Sequence, residues 1–171
     1  MVDMSAAWSR LWLVACPLGE RAQAVGALLG AAPLAAIVCA PSAGPAAERV
    51  LAGRRIEISG EPALDLSGDD PDGEALLVAL AARVAERNAG AELALLAPPG
   101  GLRVLIRASL GLGGGDEPFE LEPGTVAALE WPAEPGSGRQ PLFAGLDLDW
   151  IPPRAAPARF PGGPGAAPAG R

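Results

Sequence analysis

The chain of 171 residues contains no histidine, no tyrosine and no lysine. Without histidine, a Ser-His-Asp triad, a Cys-His pair, a phosphohistidine intermediate and imidazole ligation of zinc are all excluded. Any catalysis would have to run on Cys, Ser, Thr, Asp, Glu or Arg. The 13 basic residues are all arginine and form no cluster, and 20 acidic residues bring the formal charge to −7. A nucleic-acid surface needs clustered cations to displace phosphate counterions, so a nucleic-acid partner is not expected. Arginine without lysine, beside abundant Ala, Gly and Pro, points to a GC-rich genome rather than to a function.

Cysteine is also scarce. Cys16 and Cys39 each follow an apolar run and read as small buried hydrophobes of a reduced, cytoplasmic protein. A disulfide or redox pair is the sharper alternative. Two thiols without histidine are too few for tetrahedral zinc. The stretch LVAC, residues 13–16, matches a lipoprotein cleavage pattern. Its apolar run, Leu11 to Ala15, falls short of the roughly 7–15 residues of a signal-peptide core, and Asp3 offsets Arg10 before it. The uncharged run from Ala24 to Ala47 is interrupted by Pro33, Pro41 and Pro45, so it reads as helix, strand and loop, not as a membrane span.

What is present is an alternation of apolar and amphipathic runs, the pattern of an α/β sheet. Half of the chain is hydrophobic, enough for one domain with a core. Arg10–Ala15 and Leu34–Ala40 read as buried strands, and Arg55–Ile58 as a third. Glu20–Leu29 has helical spacing, and Pro45 suits the first turn of a short helix through Leu51. Residues 59–72 form an acidic, turn-rich loop. Gly73–Asn88 is the clearest helix, with Leu76, Leu77, Leu80 and Val84 along one face and a stop at Asn88-Ala-Gly90. Glu92–Ala97 is then a strand, Gly101–Leu110 a helix, Gly124–Trp131 a strand, and Pro141–Trp150 an irregular closing segment. Residues 152–171 are too rich in Pro, Gly and Ala to order themselves, though Phe160 could dock as a short peptide. The expected organisation is an extension over 1–9, a domain over 10–151 and a disordered tail.

Three motifs fail on inspection. Asp69–Gly73 lacks the acidic first and twelfth positions of a calcium loop. GLGGGD, residues 111–116, follows a helix rather than a strand, so it is no dinucleotide fingerprint. Cys16 and Arg21 stand one residue too close for a cysteine-phosphatase loop, and Pro17 removes an amide that such a loop would aim at phosphate.

Five segments, in order, resemble the histidine phosphatase superfamily in its phosphoglycerate-mutase-like branch. LWLVACPLGE is similar to that family's LWLVRHGET, and LAAIVCAPSAGPAAERV to LDAIYSSPLxRAxxTA. GEALLVALAARV resembles GESxxDVxxRV, LALLAPPGGLRVLIRASLGL resembles VLVVSHGGVIRALLxxLLGL, and LEPGTVAALEW resembles LxPGSVxxLE. Together they cover most of residues 10–131. The resemblance implies a three-layer α/β/α sandwich around a mostly parallel central sheet, with a phosphate pocket at the strand ends.

The departures fall on the chemistry. The family's pocket holds two arginines and two histidines. Here the first arginine maps onto Ala15, the nucleophilic histidine onto Cys16, the second arginine onto Gly44 and the second histidine onto Pro98. Pro17 and Pro99 complete this vestigial pocket. The loop after the first motif is short, and the acidic proton donor has no clear match, Asp65 and Glu74 being nearest. Arg103 keeps the arginine of the GVIR helix. Four neutral replacements leave only backbone amides and helix N-termini to hold a dianion. The expectation is a catalytically inactive module that binds a protein partner or a second copy, with no cofactor, metal or membrane. The rival is a repurposed enzyme working through Cys16, and a drifting paralogue of little function is a third reading.

Overall fold

A computed structural model describes residues 7–51, 53–66, 71–112 and 120–150. Strand β1, Trp8–Ala15, leads into helix α1, Ala22–Ala31, through a 3-10 turn at Gly19–Arg21. Strand β2, Leu34–Cys39, and helix α2, Gly44–Leu51, follow, then strand β3, Glu57–Gly60. Helix α3, Pro71–Arg87, strand β4, Glu92–Ala97, and helix α4, Pro99–Ser109, complete the parallel part. Strands β5, Val126–Pro132, and β6, Leu142–Gly145, close the sheet.

The sheet runs in the order β3-β2-β4-β1-β5-β6. Strands β1 to β4 are mutually parallel where they pair, and β5 runs antiparallel to both β1 and β6. The fold is therefore α/β with a mostly parallel sheet, and β1 and β2 are interior strands as their apolar runs predict. Connections between parallel strands are right-handed, so the direction of travel fixes the face each helix covers. From β1 to β2 to β3 the chain moves one way and lays α1 and α2 on one face. From β3 to β4 it reverses, and α3 falls on the other face, where α4 packs beside it. The point of reversal lies between the C-terminal ends of β1 and β4. Open α/β sheets form ligand crevices at such a switch point.

Several boundaries differ from the periodicity, each for a physical reason. Helices α3 and α4 start two residues early, at Pro71 and Pro99, because a proline lacks only an amide hydrogen that the first turn leaves unpaired. Strand β3 starts two residues late, at Glu57. Arg54, just before the expected start, holds the end of α1, its Nη1 donating to the Leu29 carbonyl at 2.7 Å and its Nη2 to that of Ala32 at 3.0 Å. The closing segment is not wholly irregular, since Leu142–Gly145 pairs with β5. The acidic loop is part strand and part 3-10 turn, the turn at Pro62–Asp65. Of its calcium-like stretch, Asp69 and Asp70 lie outside the described residues and Pro71–Gly73 open α3. Residues 1–6, the glycines of 113–115 and the tail with Phe160 also lie outside them.

The core is built from the central strands. Leu11, Leu13, Leu93 and Leu95 are buried on the α3 side, and Trp12, Ile37 and Leu96 on the other. At its lower end sits a charged row that the hydrophobic pattern does not announce. Arg10 stands opposite Glu92 on one side and Glu130 on the other. All three are buried, Arg10 to 1% exposure. Arg10 Nε donates to Glu130 Oε1 at 2.8 Å, and Trp12 Nε1 donates to Glu92 Oε2 at 2.9 Å. The guanidinium also lies 5.7 Å from the Trp12 ring centre, within cation–π range.

Candidate functional site

The site is the set of strand ends around the switch point. The Cys16 amide donates to the Ala97 carbonyl at 2.9 Å, which binds the loop after β1 to the end of β4. The Ala40 amide donates to the Leu96 carbonyl at 2.8 Å, which binds the end of β2 to the same strand. On the far side, the Ala15 amide reaches the Thr125 carbonyl at 3.0 Å and the Gly124 amide reaches the Ala15 carbonyl at 2.7 Å. Thus Ala15–Pro17, Ala40 and Pro98 are brought together from separate parts of the chain. Gly44 opens α2 four residues beyond Ala40, and Pro98 and Pro99 open α4.

Two glycines make this closeness possible. A side-chain carbon at Gly101 would stand 3.2 Å from the Leu64 carbonyl oxygen, so glycine lets the first turn of α4 sit against the 3-10 turn. At Gly124, φ is +85° and an added carbon would come within 2.8 Å of Arg21 Cβ and of the Leu18 carbonyl oxygen. That is left-handed backbone in a filled space, which glycine alone accommodates without strain.

The resulting surface is neutral at its centre. Ala15 and Ala40 are fully buried, while Cys16 and Cys39 retain 7% and 4% exposure. Pro17 is exposed and follows a cis peptide bond; Gly44, Pro98 and Pro99 are half-buried. Both thiols are free. Strand parity puts them on one face, with β4 between their strands. Two strand spacings of about 4.8 Å separate them, beyond the roughly 7 Å Cα separation that a disulfide tolerates. The sharper reading of the cysteines as a disulfide pair therefore fails on geometry.

Burial, with a smaller contribution from Cys39, pushes the Cys16 thiol up to about 11. Burial, and then the Asp65 carboxylate, push Cys39 up as well. At neutral pH only about one Cys16 in ten thousand is then a thiolate, the form that attacks an electrophile.

The charges near the site are on its rim, and those described here are engaged with the chain itself. Asp65 accepts a hydrogen bond from the Ser42 hydroxyl and another from the Ser42 amide at 3.3 Å. Glu74 pairs with Arg107 at 2.7 Å. Asp65 and Glu74, the nearest matches to a proton donor, are therefore both engaged with neighbouring side chains. Arg21, held over Gly124, pairs with Asp147. Arg103 lies half-buried on α4. Among the described residues no group of three His, Cys, Asp or Glu side chains could hold a metal ion, and no helix is long and apolar enough to cross a membrane.

No family model and no curated protein matches the chain. Solved structures do. The alpha-ribazole phosphatase of Shigella flexneri superposes with a TM-score of 0.65 at 17% identity, over 85% of this chain and 100% of that one. Bacillus stearothermophilus YhfR gives 0.62 at 17% identity, over 75% and 96%. The phosphoserine phosphatase of Entamoeba histolytica, solved with 3-phosphoglyceric acid, gives 0.64 at 10% identity, over 82% and 97%. These neighbours are members of the histidine phosphatase superfamily, and the chain has their fold.

Proposed function

We propose that this chain is a histidine-phosphatase-like protein that has given up phosphoryl chemistry and serves in the cytoplasm as a binding, scaffolding or regulatory module. It acts through a protein partner or a second copy of itself. The observation that carries this reading is the neutrality of the strand-end crevice. Ala15, Cys16, Gly44 and Pro98 offer a dianion no cation, and no histidine exists to accept a phosphoryl group. The domain core is meanwhile complete, so stability and catalysis have parted company.

The rival reading, a repurposed enzyme using Cys16, has the thiol in the right region. Its protonation state argues against it, because desolvation with no adjacent cation is the reverse of what activates a cysteine. One pair of measurements separates the two. Calorimetric titration with phosphate or vanadate is expected to give no heat of binding, and phosphomonoesters are expected to turn over no faster than in a no-enzyme control. Micromolar affinity, or turnover abolished by Cys16→Ala, would overturn the proposal.

A further inference from the structure

Prolines gather at the crevice end of the sheet. Pro17 follows β1, Pro41 follows β2, Pro62 follows β3, Pro98 and Pro99 follow β4, and Pro123 precedes β5. The β4 pair is half-buried and the others are exposed. A pyrrolidine ring has no amide hydrogen to offer an anion, and its C–H face packs against the electron-rich face of an aromatic ring. Exposed carboxylates stand around these rings: Asp65 beyond β3, Glu122 before β5, and Asp147 and Asp149 after β6. Arg21, a cation among them, is already paired with Asp147. Such a surface suits an aromatic side chain flanked by cations.

The chain carries a segment of that chemistry, and it leaves the described fold at this end. The Leu148 amide donates to the Val126 carbonyl at 2.9 Å, which together with the Arg21–Asp147 pair fixes the exit beside the start of β5. Past Trp150 the sequence holds Arg154, Arg159 and Arg171, no acid, and a single aromatic residue, Phe160. Extended proline-rich chain rises about 3.1 Å per residue, so Phe160 can reach about 31 Å from Trp150. Three strand spacings, about 14 Å, separate β5 from β2, and the whole crevice lies within that reach. We propose that the crevice is a docking surface for the chain's own C-terminal segment, with Phe160 against the proline rings and Arg154 and Arg159 on the acidic rim. Tethering supplies an effective concentration in the millimolar range, so a weak contact suffices. The inference rests on the reading of the crevice as neutral, and it adds a regulator: an outside partner of that surface must first displace the segment.

Limited trypsin digestion of the full chain, followed by mass at the Arg154–Ala155 bond, is the test. That bond should be cut about fivefold more slowly in the parent than in Phe160→Ala, and Glu122→Arg should speed the cut as well. In the amide NMR spectrum, Cys16, Gly44 and Gly101 should shift on Phe160→Ala, while residues 57–60 stay in place and confirm the fold. Protection should be the same at low and high protein concentration, because the segment is tethered to its own site. Equal cleavage of parent and Phe160→Ala, unmoved crevice amides, or protection that grows with concentration overturns the inference. Phosphate titration of the Phe160→Ala chain keeps the two readings apart. Heat of binding there overturns the neutral crevice, whereas no heat together with an unprotected Arg154–Ala155 bond in the parent overturns the docked segment alone.

Discussion

Strand β1 has two ends, and they treat charge in opposite ways. At its start Arg10 is buried against Glu130 and beside Trp12, deep in the fold and out of reach of solvent. At its finish, five and six residues on, Ala15 and Cys16 are buried and neutral, beside the switch point of the sheet. Strand ends at a switch point are where function is placed, and the interior rungs are where stability is placed. Here the buried charged groups stand at the lower end, and at the crevice end charge is confined to the rim. The difference shows where the sheet uses charge to assemble: an ion pair fixes the lower rungs, while the strand ends at the crevice are joined by backbone hydrogen bonds.

The charged row should therefore yield the largest effect. A buried ion pair contributes little compared with a packed apolar pair, but breaking one side strands the other charge at a cost of about 3–5 kcal/mol. Glu130→Ala should lower unfolding stability by that order in urea titration. The double replacement Arg10→Met with Glu130→Leu should recover part of it, since Glu92 then loses the cation opposite it. Equal losses in single and double variants would mean that packing volume, and not the stranded charge, dominates this end.

At the neutral end the expected signal is smaller and depends on pH. The folded Cys16 thiol titrates near 11 against about 9 when unfolded, so the unfolded chain releases its proton first as pH rises. Below pH 9 the two states bind the proton equally and the contribution is fully present. Between pH 9 and 11 the folded state binds more, and stability falls, by about 2–3 kcal/mol in total. Cys16→Ala should flatten that alkaline limb, leaving the smaller slope that Cys39 contributes in the same direction. An unchanged limb would show that Cys16 is less enclosed than its burial indicates.

How much of this is legible in the sequence depends on the distance over which the residues communicate. Local apolar runs place β4 at its observed bounds, Glu92–Ala97, because a strand buried on both faces is written in consecutive residues. The same rule misses β6, whose four residues end in glycine and owe their pairing to β5. It also reads Arg10 only as the first residue of a strand. Its partner Glu130 lies 120 residues away, and no periodicity links them. The candidate site is legible only through resemblance, which maps Ala15, Cys16, Gly44 and Pro98 to a common region. The ties that engage its rim, Ser42 to Asp65 and Arg21 to Asp147, join residues 23 and 126 apart and become visible only in three dimensions.

The Arg21–Asp147 tie should show the smallest effect, and its sign can be argued in advance. Asp147 is well exposed, so solvent screens the pair and its removal should cost no more than about 0.5–1 kcal/mol. Asp147 also has φ of +52°, left-handed backbone that aspartate tolerates better than alanine and glycine adopts freely. Asp147→Ala loses the ion pair and keeps an unfavourable backbone, so it should destabilise by about 1 kcal/mol. Asp147→Gly loses the same pair but relieves the backbone, at the expense of a more flexible unfolded chain, and should fall within about 0.5 kcal/mol of the parent. Chemical denaturation of the two variants side by side isolates the backbone term, since the lost charge is common to both. If both lose about 2 kcal/mol or more, the tie is no weak surface pair, and the neutral end of the sheet depends on a charge after all.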